Sequence, residues 1–311
     1  MTDMRKVIGI GETVYDIVFK GGQPTAAVPG GSTFNSMISL GRCGIPSGFL
    51  SEIGNDKVGS VIREFMAANG VDPGFVNILP GKTPLSLAFL DENNDASYSF
   101  YREQDPEREA FVYPEIIPED VVLFGSFYAL NPACRPEVRR FLEYAKSCGA
   151  ILYYDVNFRP SHVKDLGNIG NAIWENFELA DVVRGSHEDF RTLFGIGDAE
   201  AVFAEKISGH CGRFICTFGA DPLKVQDLNG FHGEYPVSRI ETVSTIGAGD
   251  SFNAGFIYGL VRNGITREAL KSGLPAGVWD SLIACAQSFS ACCCQSSFNY
   301  ITPDFAAGLR A

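Results

Sequence analysis

The chain has 311 residues, of which 45% are hydrophobic and 20% charged, and its formal net charge is −12. That length suits one large domain or two modest ones, and the composition supplies a sizeable core, so disorder is not the default reading. An acidic chain repels phosphate backbones, which argues against a general nucleic-acid binder. A local cradle of backbone amides can still hold an anionic nucleotide.

The first residues run from Met1 through Lys6 straight into Val7-Ile8-Gly9-Ile10. They contain no long apolar core and no cleavage site, so the expectation is a cytoplasmic protein without a signal peptide. No uninterrupted apolar stretch approaches the length of a membrane span. Val7 to Ile10, closed by Gly11, reads as a buried strand. Residues 13–29 depart from that pattern. Gly30-Gly31-Ser32-Thr33-Phe34-Asn35 then opens a helix running through Leu40. Residues 58–69 carry Val61, Ile62, Phe65 and Met66 on one stripe, with Gly70 as the stop signal.

Residues 85–102 alternate in Leu85-Ser86-Leu87-Ala88-Phe89-Leu90 and again in Ser97-Tyr98-Ser99-Phe100-Tyr101-Arg102. The turn formers Asp91-Glu92-Asn93-Asn94-Asp95 stand between, so a hairpin is predicted. Segments 13–29 and 85–102 together are expected to form a small separate sheet, a lid over a site. Its edge strands need cover, which a homodimer pairing lid to lid would supply.

Short apolar runs follow at 121–124, 151–154, 182–183 and 214–217, with an amphipathic helix over 136–148 presenting Val138, Phe141, Leu142 and Ala145. Strands buried on both faces and alternating with helices mean a mostly parallel sheet covered on both sides, a single α/β domain over 1–311. Ligands of such sheets bind outside the carboxyl ends of the strands.

Two phosphate motifs fail. Gly81-Lys82-Thr83 resembles the end of a P-loop, but Val76 stands where its first glycine belongs. Gly9-Ile10-Gly11 opens like a dinucleotide fingerprint, yet Val14 takes the third glycine position and no acidic residue follows at the required distance, so a nicotinamide dehydrogenase is poorly supported. The nine cysteines have no regular spacing. Cys292-Cys293-Cys294 cannot converge on one ion unaided, and reads as small apolar filling.

The strongest signal is Thr245-Ile246-Gly247-Ala248-Gly249-Asp250-Ser251-Phe252-Asn253-Ala254-Gly255-Phe256. The small residues Gly247, Ala248 and Gly249 let a phosphoryl group approach the unpaired amides of a helix start. Asp250, beside that anion site, can accept a proton from an attacking hydroxyl. The competing reading is a glycine-rich turn whose Asp merely caps a helix. At the other end of the chain, Gly30 and Gly31 let a ligand touch backbone, and Asn35 can bond to hydroxyls.

In this order the two segments resemble the ribokinase-like, or PfkB, family of carbohydrate kinases. Gly11-Glu12-Thr13-Val14-Tyr15-Asp16 and Asp155-Val156-Asn157-Phe158-Arg159-Pro160 look like its fructokinase branch. The resemblance spans nearly the whole chain and implies a three-layer αβα sandwich with a mostly parallel central sheet and a small β-sheet lid. It implies ATP as phosphoryl donor with Mg²⁺, and a sugar as acceptor. Asp250 becomes the base, and the amides of Gly247, Ala248 and Gly249 the anion hole. Asp16, Gly30, Gly31, Asn35 and Arg102 fall against the sugar. Asn157, Arg159, Ser186, Thr217 and Gly219 fall near the nucleotide.

The chain departs from the family pattern at three places. Ser244 replaces an aspartate that helps relatives hold a monovalent cation, leaving potassium activation open. Ser186-His187-Glu188-Asp189 replaces Asn-x-x-Glu, so Asp189 would act on the metal only indirectly, and His187 reads as an exposed loop residue. Pro222 stands where a second glycine is usual, which should alter the loop after Gly219. A kinase of another polyol, sugar acid or nucleoside, or a catalytically weak sugar-sensing relative, remains the alternative.

Overall fold

The computed structural model describes residues 5–92, 96–102 and 110–310, the side chains of Ala96 and Tyr98 excepted. Asn93, Asn94 and Asp95 of the predicted turn lie outside the described residues. The strands Val7–Ile10, Ser47–Gly54, Val121–Gly125, Ile151–Asp155, Val182–Ser186 and Arg213–Phe218 pair in parallel within a ten-stranded sheet. Two antiparallel strands, Asp221–Asp227 and His232–Tyr235, extend one edge.

The apolar runs are buried on both faces because each strand feeds two cores. Ile8, Val122, Leu152, Val183 and Phe214 enter one. Val7, Leu123, Tyr153, Val182 and Ile215 enter the other. The helix Arg135–Ser147 buries Val138, Phe141, Leu142 and Ala145, the stripe its sequence presents. The helix Lys57–Ala68 begins at Asp56, whose side chain accepts from the Gly59 amide, and is followed by Gly70 at φ 77°. Among the described residues, no helix is long and apolar enough to cross a membrane.

A separate four-stranded sheet holds Gln23–Gly30, Val14–Lys20, Leu85–Leu90 and Ala96–Tyr101. Its outer pairs are antiparallel, and its central pair, Val14–Lys20 with Leu85–Leu90, is parallel. Both lid segments of the sequence therefore meet in one sheet. The register sets Asp16 beside Ser86, which is fully buried.

The chain after Gly219, which carries Pro222, turns tightly back on itself. Gly219, at φ 65°, and Ala220 form a tight hairpin turn in which Phe218 pairs with Asp221. Pro222 falls where the register slips by one residue, and pairing with His232–Tyr235 begins only at Leu223. A ring without an N–H costs nothing at such a bulge.

The helix Ala248–Arg262 is held against the helix Ala276–Cys294 by close backbone approach. A Cβ on Gly255 would stand 2.8 Å from Ala286 Cα and from the Cys285 carbonyl oxygen. Gly255→Ala should therefore destabilise the protein by about 1–3 kcal/mol through overpacking, outweighing the better helix propensity of alanine. Urea unfolding measures this. Unchanged or raised stability would show that the helices have room to separate.

Candidate active site

Residues from distant parts of the chain converge at the carboxyl ends of the parallel strands. Gly247 caps the helix Ala248–Arg262 at φ 78°, and a Cβ there would stand 2.1 Å from the Asn299 carbonyl oxygen, so only glycine fits. The Ala248 amide donates to the Thr245 carbonyl oxygen at 3.2 Å. The amides of Gly247, Gly249 and Asp250 have no hydrogen-bond partner among the described residues, whereas the Ala248 amide is taken up by Thr245.

Asp250 lies in the first turn of that helix. Its Oδ1 accepts from the Ser32 hydroxyl at 2.7 Å and its Oδ2 from Asn35 Nδ2 at 2.8 Å. Its backbone carbonyl oxygen accepts from the Ser36 hydroxyl at 2.8 Å. All three donors lie on the helix Ser32–Arg42, which begins after Gly31 at φ 128°. Among the described residues the Asn35 side-chain oxygen is buried without a partner, an acceptor that a ligand hydroxyl would satisfy.

Burial pushes the Asp250 carboxyl up to about 6; the Asn35 hydrogen bond opposes this, nearby Asp155 adds to it, and Ser32 and Arg159 pull it back. Asp16 is likewise pushed up to about 6, by burial first, with the Ser86 hydroxyl opposing and the Asp250 charge adding. The Asp16 carboxyl lies close enough to Asp250 to feel its charge. Asp16 also explains Gly30, because a Cβ on Gly30 would stand 2.0 Å from Asp16 Oδ2. At this position the glycine admits a carboxylate of the chain itself. Gly31 packs against the Glu12 carbonyl oxygen, where a Cβ would lie at 2.3 Å.

Arg102 emerges from the lid and pairs with Glu12 at 2.9 Å. Asn157 follows the strand Ile151–Asp155 at φ 35°, and Ser126 follows Val121–Gly125 at φ 55°. Such backbone is sparsely populated, and it gathers here at the carboxyl end of the sheet. Arg159 is exposed beside them. Thr217 accepts from Arg184 at 2.8 Å, while Gly219 is exposed in its hairpin turn.

Ser186 and Asp189 form a capping box at the start of the helix His187–Phe194. Asp189 Oδ2 accepts from the Ser186 amide and hydroxyl, and Oδ1 accepts from the Phe158 amide at 2.8 Å. Asp189 thus holds the 156–159 loop. His187 differs from its sequence reading: it is half-buried in the helix's first turn, its ring stacked on Phe218 at 5.0 Å. Ser244 accepts from the Ile246 amide at 3.2 Å. Cys293 is buried, and no cluster of metal-ligating side chains occurs among the described residues.

The sequence reading missed Ser32, Asp155 and Arg184 as members of the site. Arg184 left a signal, a lone charge inside the apolar strand Val182–Ser186. Ser32 left none, since its partner stands 218 positions away.

A parallel α/β sheet with a separate lid sheet, an open helix start and a carboxylate beside it defines a small-molecule kinase. The model of the pfkB family of carbohydrate kinases matches residues 4–280, and the chain belongs to that family. It is 27% identical over 276 residues to Fructokinase-1 of Zea mays, covering 83% of each chain. Its fold is similar to that of fructokinase from Vibrio cholerae O395 in its fructose-, ADP- and calcium-bound form, with TM-score 0.83, 20% identity and 99% of each chain covered. It is also similar to aminoimidazole riboside kinase from Salmonella enterica complexed with aminoimidazole riboside and an ATP analogue, with TM-score 0.80, 21% identity, and 99% of this chain and 100% of that chain covered.

A general base at Asp250 would be protonated, and so inactive, as pH falls through about 6. The rate at saturating substrates should therefore drop about tenfold per pH unit below that point. A pH profile of kcat checks this. An acid limb near 4, the value of an ordinary carboxylate at roughly 3.9, would mean that Asp250 is not the titrating base.

Proposed function

We propose that this kinase transfers the γ-phosphoryl group of ATP to a hydroxyl of a neutral, fructose-like sugar, with Asp250 as general base. The observation that supports this most is the Asp250 carboxylate, fixed by Ser32 and Asn35 beside the open amides of Gly249 and of Asp250 itself.

The sugar hydroxyl oxygen attacks the γ-phosphorus, its proton passes to Asp250, and the bond to the β-bridging oxygen breaks to release ADP. The amides at the helix start meet the charge carried by the phosphoryl oxygens, together with the positive end of the helix dipole. Mg²⁺ belongs to the nucleotide substrate in this scheme, since an ion of this kind is held by phosphates and few protein carboxylates. Asp189, with its oxygens taken up by Ser186 and Phe158, serves by holding the loop that carries Asn157 and Arg159. A monovalent cation near Ser244 would find a hydroxyl there and no carboxylate.

Asp16 and the unpartnered oxygen of Asn35 offer acceptors for sugar hydroxyls. Arg102 could orient either a hydroxyl or a carboxylate. Its pairing with Glu12 leaves little net charge at that end of the site, which favours a neutral sugar over a sugar acid. Closure of the lid over the sugar excludes water from the transfer. The lid also exposes Phe89, Phe100 and Tyr101 by 40, 52 and 60%, which supports a lid-to-lid homodimer.

The test is ADP release and phosphosugar formation over a panel of ketoses, aldoses, sugar acids and nucleosides with MgATP. A neutral ketohexose should give the highest kcat/KM. Preference for a sugar acid would overturn the reading of the Glu12–Arg102 pair, and no turnover with any acceptor would leave a sugar-sensing relative.

A further inference from the structure

Arg184 is only 7% exposed, a guanidinium inside a parallel sheet. A cation in that position needs partners, and two are present. Nη1 donates to Asp155 Oδ1 at 3.0 Å and Nη2 to Thr217 Oγ1 at 2.8 Å. Asp155 lies directly across in register on the neighbouring strand. The guanidinium also touches the anion-site helix: its central carbon is 5.6 Å from the Phe252 ring centroid. A Cβ on Gly249 would stand 3.0 Å from Nη1 and 3.1 Å from Nη2. The charge therefore rests against the first turn of the helix, under one of the open amides. Asp155 reaches the other way, its Oδ2 lying 3.5 Å from the Ser32 hydroxyl that donates to Asp250.

We propose that Arg184 is a positioning residue of the phosphoryl-transfer site, which offsets the Asp155 charge facing the Asp250 base and sets positive charge beneath the Gly249 amide. The inference deepens the kinase reading and rests on it. The groups around Asp250 make the arrangement legible. Asp16 faces it from the lid, Asp155 and Arg159 from the strand Ile151–Asp155 and the loop after it, and Cys293 from the helix Ala276–Cys294. Ser32 and Asn35 supply neutral donors from the helix Ser32–Arg42. Two of these neighbours are carboxylates. Removing the guanidinium leaves the Asp155 charge uncompensated near Asp250, which disfavours ionisation of the base. Removing both members of the pair cancels that effect on the base but still strips positive charge from beneath the helix start.

The experiment compares kcat against pH, and KM for MgATP, in the intact wild-type protein, Arg184→Lys, Arg184→Met and the double variant Asp155→Asn/Arg184→Met. The acid limb of Arg184→Met should move up by about one pH unit or more. Arg184→Lys should keep the wild-type limb. The double variant should recover that limb, yet with kcat/KM for MgATP at least about tenfold below Arg184→Lys, the order expected for one lost charge interaction. If Arg184→Met fails to fold, the comparison of the lysine and double variants still decides. Equal kcat/KM in those two, or a limb that Arg184→Met leaves unmoved, would make Arg184 a packing residue and sink the inference alone. A wild-type protein without ATP-dependent turnover would sink the kinase reading and this inference with it.

Discussion

Everything at the site depends on where the Asp250 carboxylate is held. Its oxygens accept from Ser32 and Asn35, and its backbone carbonyl from Ser36. These bonds tie the start of the helix Ala248–Arg262 to the start of Ser32–Arg42, so two glycine-led helix starts meet across the carboxyl ends of the sheet. A carboxylate buried in this way would be costly to ionise without donors. Burial holds its titration up at about 6, while the donors oppose that rise and keep the carboxylate orderly, the condition a general base would require. The glycines follow from the same demand. Gly247 passes the Asn299 carbonyl, Gly30 passes the Asp16 carboxylate, and Gly249 passes the Arg184 guanidinium.

Much of this was legible in the sequence, for identifiable reasons. Strands such as Val121–Gly125 and Ile151–Asp155 carry continuous apolar runs because both faces are buried, and such runs are visible without a structure. The hairpin of the lid showed itself by alternation, although the buried positions are Ser86 and Ala88 and the larger Leu85, Leu87 and Phe89 are half-buried or exposed. The Gly-Ala-Gly-Asp segment was legible because close backbone approach and a helix start impose small residues at fixed places.

What was not legible depends on tertiary register. Nothing near Ser32 in the chain reveals that its hydroxyl meets Asp250. Arg184 could be noticed as a charge in an apolar strand, but its partners Asp155 and Thr217 come from the strands on either side of it. In the sequence Asp189 shows only its charge. Its capping box and its bond to the Phe158 amide emerge only when the 156–159 loop folds over it. His187 was read as exposed because polar residues after a strand usually are, and stacking on Phe218 overrides that tendency.

The proposed chemistry turns on Asp250 taking the proton of the attacking hydroxyl. Asp250→Asn keeps the shape of the side chain and leaves the backbone amides of Gly249 and position 250 in place, while removing the base. The decisive measurement is kcat of the folded Asp250→Asn protein with its best sugar, alongside nucleotide binding by calorimetry. The expected result is a fall of about 10²- to 10⁴-fold in kcat, the usual worth of general-base catalysis, with nucleotide affinity retained. A variant that keeps more than about a tenth of the wild-type kcat would show that Asp250 serves only to tie its helix to Ser32–Arg42.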